Sequence, residues 1–160
     1  MSKQVKVLFV CMGNICRSPT AHGVFEKLLS EHGIDHQVSV DSAGTHAYHV
    51  GEPPDRRSQQ EARQRGYDLS HLRARKVTPG DFDEYDYVLA MDDDNYRNLA
   101  ALCPSHAREK LQMFLDYGHN FAETEVPDPY YGGAQGFMHV LDLVEDAANG
   151  LIRDIQQRHL

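Results

Sequence analysis

Residues 5–19 read VKVLFVCMGNICRSP. The first part, Val5 to Val10, is β-branched and aromatic and almost continuously apolar, the pattern of a strand covered on both faces. Ser18 followed by Pro19 is a helix-opening pair, and Val24, Phe25, Leu28 and Leu29 continue at helical spacing until Gly33 stops them. The stretch therefore predicts a buried parallel strand, a tight loop and a helix. Working outward, residues 38–42 predict a second strand and residues 54–65 a helix opened by Pro54 and closed by Gly66. Residues 85–91 (YDYVLAM) predict a third strand, with Asp92, Asp93 and Asp94 at the start of a helix whose dipole favours carboxylates there. Residues 111–115 predict a shorter fourth strand. From Phe137 onward, Val140, Leu141, Val144, Ala148, Leu151, Ile152 and Ile155 recur at the spacing of one long amphipathic helix. Strands alternating with helices imply a doubly wound α/β sandwich around a mostly parallel, four-stranded sheet, and 160 residues suffice for one such domain.

Composition narrows the function. Sixteen Lys and Arg against 24 Asp and Glu give a net charge of −8, the wrong sign for neutralising nucleic-acid phosphates or coating an anionic membrane. No nucleic-acid partner is expected, and no run of about 18 apolar residues predicts membrane insertion. The N-terminal apolar run contains Lys6 and ends at Asn14 and Arg17 without a cleavage site, so it does not read as a signal peptide. Three cysteines are not a disulfide framework, which points to a reducing, cytoplasmic setting with thiols free for chemistry. Charge is unevenly spread: residues 81–94 are acidic, and residues 55–76 carry Arg56, Arg57, Arg63, Arg65, Arg73, Arg75 and Lys76. Solvated surface is the ordinary reading of such runs, with a partner-facing surface the alternative.

The loop Cys11-Met12-Gly13-Asn14-Ile15-Cys16-Arg17-Ser18 sits where open α/β sheets bind ligands, beyond the carboxyl end of a strand and at a helix N-terminus. A bare C-x5-R spacing is weak; this position gives it meaning. Gly13 permits close backbone approach and Asn14 tolerates left-handed torsions, so successive N–H groups can turn inward around a tetrahedral oxyanion. Arg17 adds a planar fork for two phosphoryl oxygens. The same positive field favours a thiolate at Cys11, making it the candidate nucleophile, and Ser18 offers its hydroxyl to that sulfur. The alternative is a structural cysteine at a strand end beside a surface arginine.

V-x-F-V-C-x-G-N-I-C-R-S-P is similar to the signature of the low-molecular-weight protein-tyrosine phosphatases. Asp41-Ser42-Ala43-Gly44-Thr45, Ser70-His71 and Val126-Pro127-Asp128-Pro129-Tyr130 match that family at its spacing. The resemblance implies a flavodoxin-like sheet order and hydrolysis of phosphotyrosine and small aryl phosphates, with a phosphotyrosine-containing protein as partner; no cofactor is expected, and no metal, because Cys11-x4-Cys16 and scattered histidines lack a usual ligand spacing. It implies Cys11 as the nucleophile that forms a phosphocysteine, Arg17 as oxyanion clamp, and Asp128 as general acid and then base, held stiffly between Pro127 and Pro129. Met12, Gly13, Asn14, Ile15, Cys16 and Ser18 would complete the phosphate cradle. Ser42 and His71 would support Asn14 in its strained conformation. Tyr130, Tyr131 and Tyr48 would flank a phenyl ring in a slot too deep for phosphoserine. Some members carry tryptophan near Tyr48, and this chain has no Trp.

Three rival readings share parts of the pattern. An arsenate reductase relays oxidation through two further cysteines, and Leu102-Cys103-Pro104 has no paired cysteine nearby. A protein-arginine phosphatase has a small polar residue where Ile15 stands. An inactive anion-binding module needs neither Cys11 nor Asp128. Two thiols at opposite ends of one loop also predict redox control, with Cys16 capturing an oxidised Cys11; packing as a small buried residue is the alternative for Cys16.

Overall fold

In the computed structural model, which describes residues 4–129 and 133–160, the predicted central strand β1 spans Val5–Cys11. It lies between β2 (Val38–Gly44) and β3 (Tyr87–Ala90), and β4 (Leu111–Met113) completes the sheet in the order β2-β1-β3-β4. Every pairing is parallel, with Val10 opposite Ala43 on one side and Ala90 on the other. Alternation along β1 explains its unbroken apolarity. Val5, Val7, Phe9 and Cys11 enter a core with Phe25, Phe114, Val144 and Leu151, while Leu8 and Val10 enter a second core with Phe82, Val88 and Leu99.

Helix α1 (Arg17–Glu31) and α5 (Ala134–His159) cover the first face. The one-turn α3 (Asp81–Glu84) and α4 (Asp93–Leu102) cover the second. Helix α2 (Arg56–Gln64) is capped by the Asp55 carboxylate, which accepts from the Arg57 amide at 2.8 Å. The sheet order reverses direction between β1 and β3, and the loop after β1 opens at that switch point. No described helix is long and apolar enough to cross a membrane.

Element types agree with the sequence reading, and several ends move. Helix α1 begins at Arg17 rather than Ser18, because Thr20 N–H and Oγ1 both donate to the Cys16 carbonyl and wind the turn early. Helix α2 starts two residues after Pro54, since Asp55 and not the proline is the cap. Strand β4 stops at Met113, where residues 114–117 tighten into a 3-10 turn. Helix α3 went unread because a charge run disguised a single turn built around Phe82.

Candidate active site

The loop leaving β1 is laced to its neighbour before it turns. Thr45 N–H donates to the Cys11 carbonyl at 2.9 Å and His46 N–H to that of Met12 at 3.0 Å. Gly44 must be glycine for this to happen: a Cβ there would lie 2.8 Å from the Met12 carbonyl oxygen and 3.2 Å from the Gly13 carbonyl carbon.

Asn14 has φ 59°, the one positive φ among the described non-glycine residues. Its side chain is satisfied at both ends. Nδ2 donates to Ser18 Oγ at 2.8 Å, and Oδ1 accepts from the Arg75 amide at 3.0 Å. The Asn14 amide in turn points at Cys11 Sγ, 3.3 Å away. Ser18 Oγ lies 3.0 Å from the same sulfur. Because Asn14 Nδ2 already donates into that oxygen, the hydroxyl proton is available to the sulfur, nearer than the Ala43 carbonyl at 3.5 Å.

The sequence reading puts Ser42 and His71 among the residues that support Asn14, and the structure gives each of them other direct partners. Ser42 Oγ pairs with His22 Nδ1 at 2.9 Å. His71, its side chain 56% exposed, faces Glu26 at 3.5 Å and Asp68 at 4.0 Å. The hydrogen bonds that Asn14 makes through its side chain go to the Arg75 amide and to Ser18. Arg75 is the missed support. Its guanidinium is anchored by Asp41 at 3.0 Å and by buried Asp81 at 3.0 and 3.2 Å, which fixes the strand-like segment carrying the amide. Burial opposes its charge, and Asp81 and Asp41 override burial to raise its pKa. Within a basic run, nothing singled it out.

Arg17 is nearly enclosed, with 4% of its side chain exposed. Nη1 donates to Asp92 at 2.6 Å and to the Val126 carbonyl at 3.1 Å, and Nη2 lies 3.8 Å from Asp128. Burial disfavours its charge, but the Cys11 sulfur, Asp92 and Asp128 more than compensate, so its pKa is raised and it stays a cation. Asp92 was legible only as a helix cap; it accepts from the Asn95 amide at 2.7 Å and orients Arg17 with its other oxygen. Asp128 is 36% exposed and faces the opening.

Cys11, Met12, Gly13, Ile15, Cys16, Arg17, Tyr48, His49 and Asp128 line one pocket of about 220 Å3. Tyr48 stands at the rim, 69% exposed and stacked on His46 with ring centroids 5.1 Å apart. His49 was missed, since a lone histidine carries no signal; it pairs with Glu52 at 2.5 Å and would touch a Cβ on Gly13. Cys16 lines the pocket from a buried position, where burial first and nearby negative charge second push its thiol up to about 12 against the Ser58 hydroxyl. Tyr130 and Tyr131 lie outside the described residues.

The model of the low molecular weight phosphotyrosine protein phosphatase family matches residues 6–159. A Synechocystis protein named for this family is 48% identical over 152 residues, covering 94% of this chain and 96% of the relative. The low molecular weight phosphotyrosine protein phosphatase of Schizosaccharomyces pombe is 39% identical over 156 residues, 97% of this chain and 99% of the relative. A crystal structure of a protein tyrosine phosphatase from Entamoeba histolytica, with Hepes in its active site, superposes with a TM-score of 0.95 at 42% identity. It spans 98% of this chain and 100% of its own.

Proposed function

Because the chain belongs to the low molecular weight phosphotyrosine protein phosphatase family, we propose that it hydrolyses phosphotyrosine and aryl phosphates through a phosphocysteine on Cys11. The observation that carries this is convergence: Cys11, Arg17 and Asp128 line one small pocket, and the buried Ser18 hydroxyl lies 3.0 Å behind the Cys11 sulfur.

The substrate dianion seats in the loop, gripped by backbone N–H groups and by the Arg17 fork. Cys11 attacks as thiolate, stabilised by the Ser18 hydroxyl and the Asn14 amide. As the S–P bond forms and the P–O bond breaks, protonated Asp128 gives its proton to the departing phenolate. Asp128, now a carboxylate, takes a proton from water, which attacks phosphorus, breaks the S–P bond and releases inorganic phosphate and the Cys11 thiolate. Tyr48 flanks the ring, and a phosphoserine does not reach the sulfur from the rim. The substrate is a phosphotyrosine-bearing protein, met in a reducing cytoplasm that suits three free thiols.

The site is redox-sensitive on the same reading. Peroxide oxidises the Cys11 thiolate to a sulfenic acid, itself becoming water, and the Cys16 thiol condenses with that acid to form a disulfide and a second water. A dithiol reverses the step.

Turnover of p-nitrophenyl phosphate tests the proposal. Wild type turns over in EDTA and Cys11→Ser does not, while Cys11→Ser still binds inorganic phosphate. Normal turnover by Cys11→Ser, or activity lost on chelation and restored by a divalent ion, overturns it.

A further inference from the structure

The arginines of α2 are divided between two jobs. Arg57 lies over the Phe137 ring at 4.8 Å, and Arg65 binds Asp142 at 2.9 Å and Glu145 at 2.5 Å, so these two serve packing against α5. Arg56 and Arg63 do neither. They share one exposed helix face with Gln59 and Gln60, opposite buried Ser58 and Ala62, and the four side chains line a shallow surface hollow. No carboxylate pairs with Arg56 or Arg63 among the described residues; Asp68 feels the charge of Arg63 without bonding to it. In a chain of net charge −8 this local surplus of positive charge is against the trend.

Its position ties it to the pocket. The Asp55 amide donates to the Ile15 carbonyl at 2.7 Å, and the Ser58 hydroxyl bonds to Cys16. The first turn of α2 is therefore fastened to the phosphate loop, and Arg56 stands beside that fastening.

We propose that the Arg56–Arg63 face of α2 is a docking surface for an acidic segment of the phosphotyrosine substrate, a reading that rests on the phosphatase activity proposed above. Charge complementarity selects the occupant: the face offers two bidentate donors and the exposed Gln60 amide, Gln59 already donating to the Pro54 carbonyl, and no apolar anchor. Spacing refines it. Seven residues of helix set the Arg56 and Arg63 positions about 10 Å apart along the axis, a distance an extended peptide covers in about three residues. The preferred substrate thus carries two carboxylates about three positions apart, on the side of the phosphotyrosine that runs along α2. Uncharged aryl groups bypass the surface altogether.

The test compares kcat/KM for phosphotyrosine peptides bearing Glu pairs three residues apart, on either side of the phosphotyrosine, with the same peptides bearing Gln. Para-nitrophenyl phosphate reports the chemistry alone. Wild type should favour one acidic peptide about fivefold, through KM and less so in high salt, as expected of exposed pairs. Arg56→Gln/Arg63→Gln should abolish that preference, Arg56→Lys/Arg63→Lys should keep part of it, and Arg56→Glu/Arg63→Glu should reverse it. All three should turn over p-nitrophenyl phosphate as wild type does. Equal kcat/KM for Glu and Gln peptides in wild type, or a preference that survives Arg56→Gln/Arg63→Gln, overturns the docking surface and leaves the phosphatase standing. Failure of wild type on every substrate, p-nitrophenyl phosphate included, overturns both.

Discussion

Asn14 concentrates the site's demands in one side chain. A non-glycine residue in the left-handed region costs roughly 1–2 kcal/mol, and two hydrogen bonds, from the Arg75 amide and to Ser18, offset a cost of that size. Removing them should free the loop to relax and turn its amides away from phosphate. Asn14→Ala is expected to lower kcat about a hundredfold, comparable to losing an oxyanion donor, and to weaken inorganic phosphate binding, with little change in melting temperature. Full activity in that variant contradicts its role. Asp128 makes a different prediction, because an acid matters most where the leaving group is basic. Asp128→Ala should slow phenyl phosphate by about 10^2 or more and a strongly activated aryl phosphate far less; equal slowing removes Asp128 as the acid. Cys16 is a thiol well above neutrality, pushed up to about 12 by burial. Iodoacetamide at neutral pH should therefore label Cys11 and spare Cys16, with phosphate protecting, as mass spectrometry of the labelled peptides would show.

Between elements, glycine marks the closest approaches. At Gly150 on α5 a Cβ would sit 1.8 Å from the Tyr117 carbonyl oxygen, and at Gly44 the neighbour is the loop itself. The two should therefore separate by readout. Gly150→Ala should destabilise the fold by about 1–3 kcal/mol while the folded fraction keeps its kcat, and Gly44→Ala should lose phosphate affinity first. Urea unfolding and phosphate titration of the two variants check this. The strand-loop-helix and its position at the sheet's switch point were legible because β1 is apolar on both faces and a Ser-Pro pair follows its loop. That Asp128 lines the pocket was legible through its flanking prolines and family spacing. Arg75 and Asp92 were not, since each acts through a partner far along the chain: Arg75 and Asn14 are 61 residues apart, Arg17 and Asp92 75. Nor does spacing reveal that Ser42 pairs with His22 and His71 with Glu26.

For the molecule as a whole, burial of phenols sets the alkaline limit. Burial first, and the nearby carboxylates of Asp41 and Asp154 next, push Tyr85 and Tyr117 up to about 12. The folded state holds these protons after the unfolded chain, with phenol pKa about 10, has released them. Their stabilising contribution is therefore complete below about pH 10 and is lost as pH climbs toward about 12. Urea midpoints should be level near neutrality and fall over that window; a midpoint unchanged throughout it contradicts the burial account. The phosphocysteine is the central claim and admits a direct measurement on Asp128→Ala, whose missing base slows breakdown of the intermediate. Rapid acid quench with a strongly activated aryl phosphate should give a burst of aryl alcohol equal to the enzyme present. Mass spectrometry should then find one phosphoryl group on the peptide containing Cys11. A burst-free time course with no phosphorylated Cys11, or a phosphoryl group found on another residue, contradicts the account.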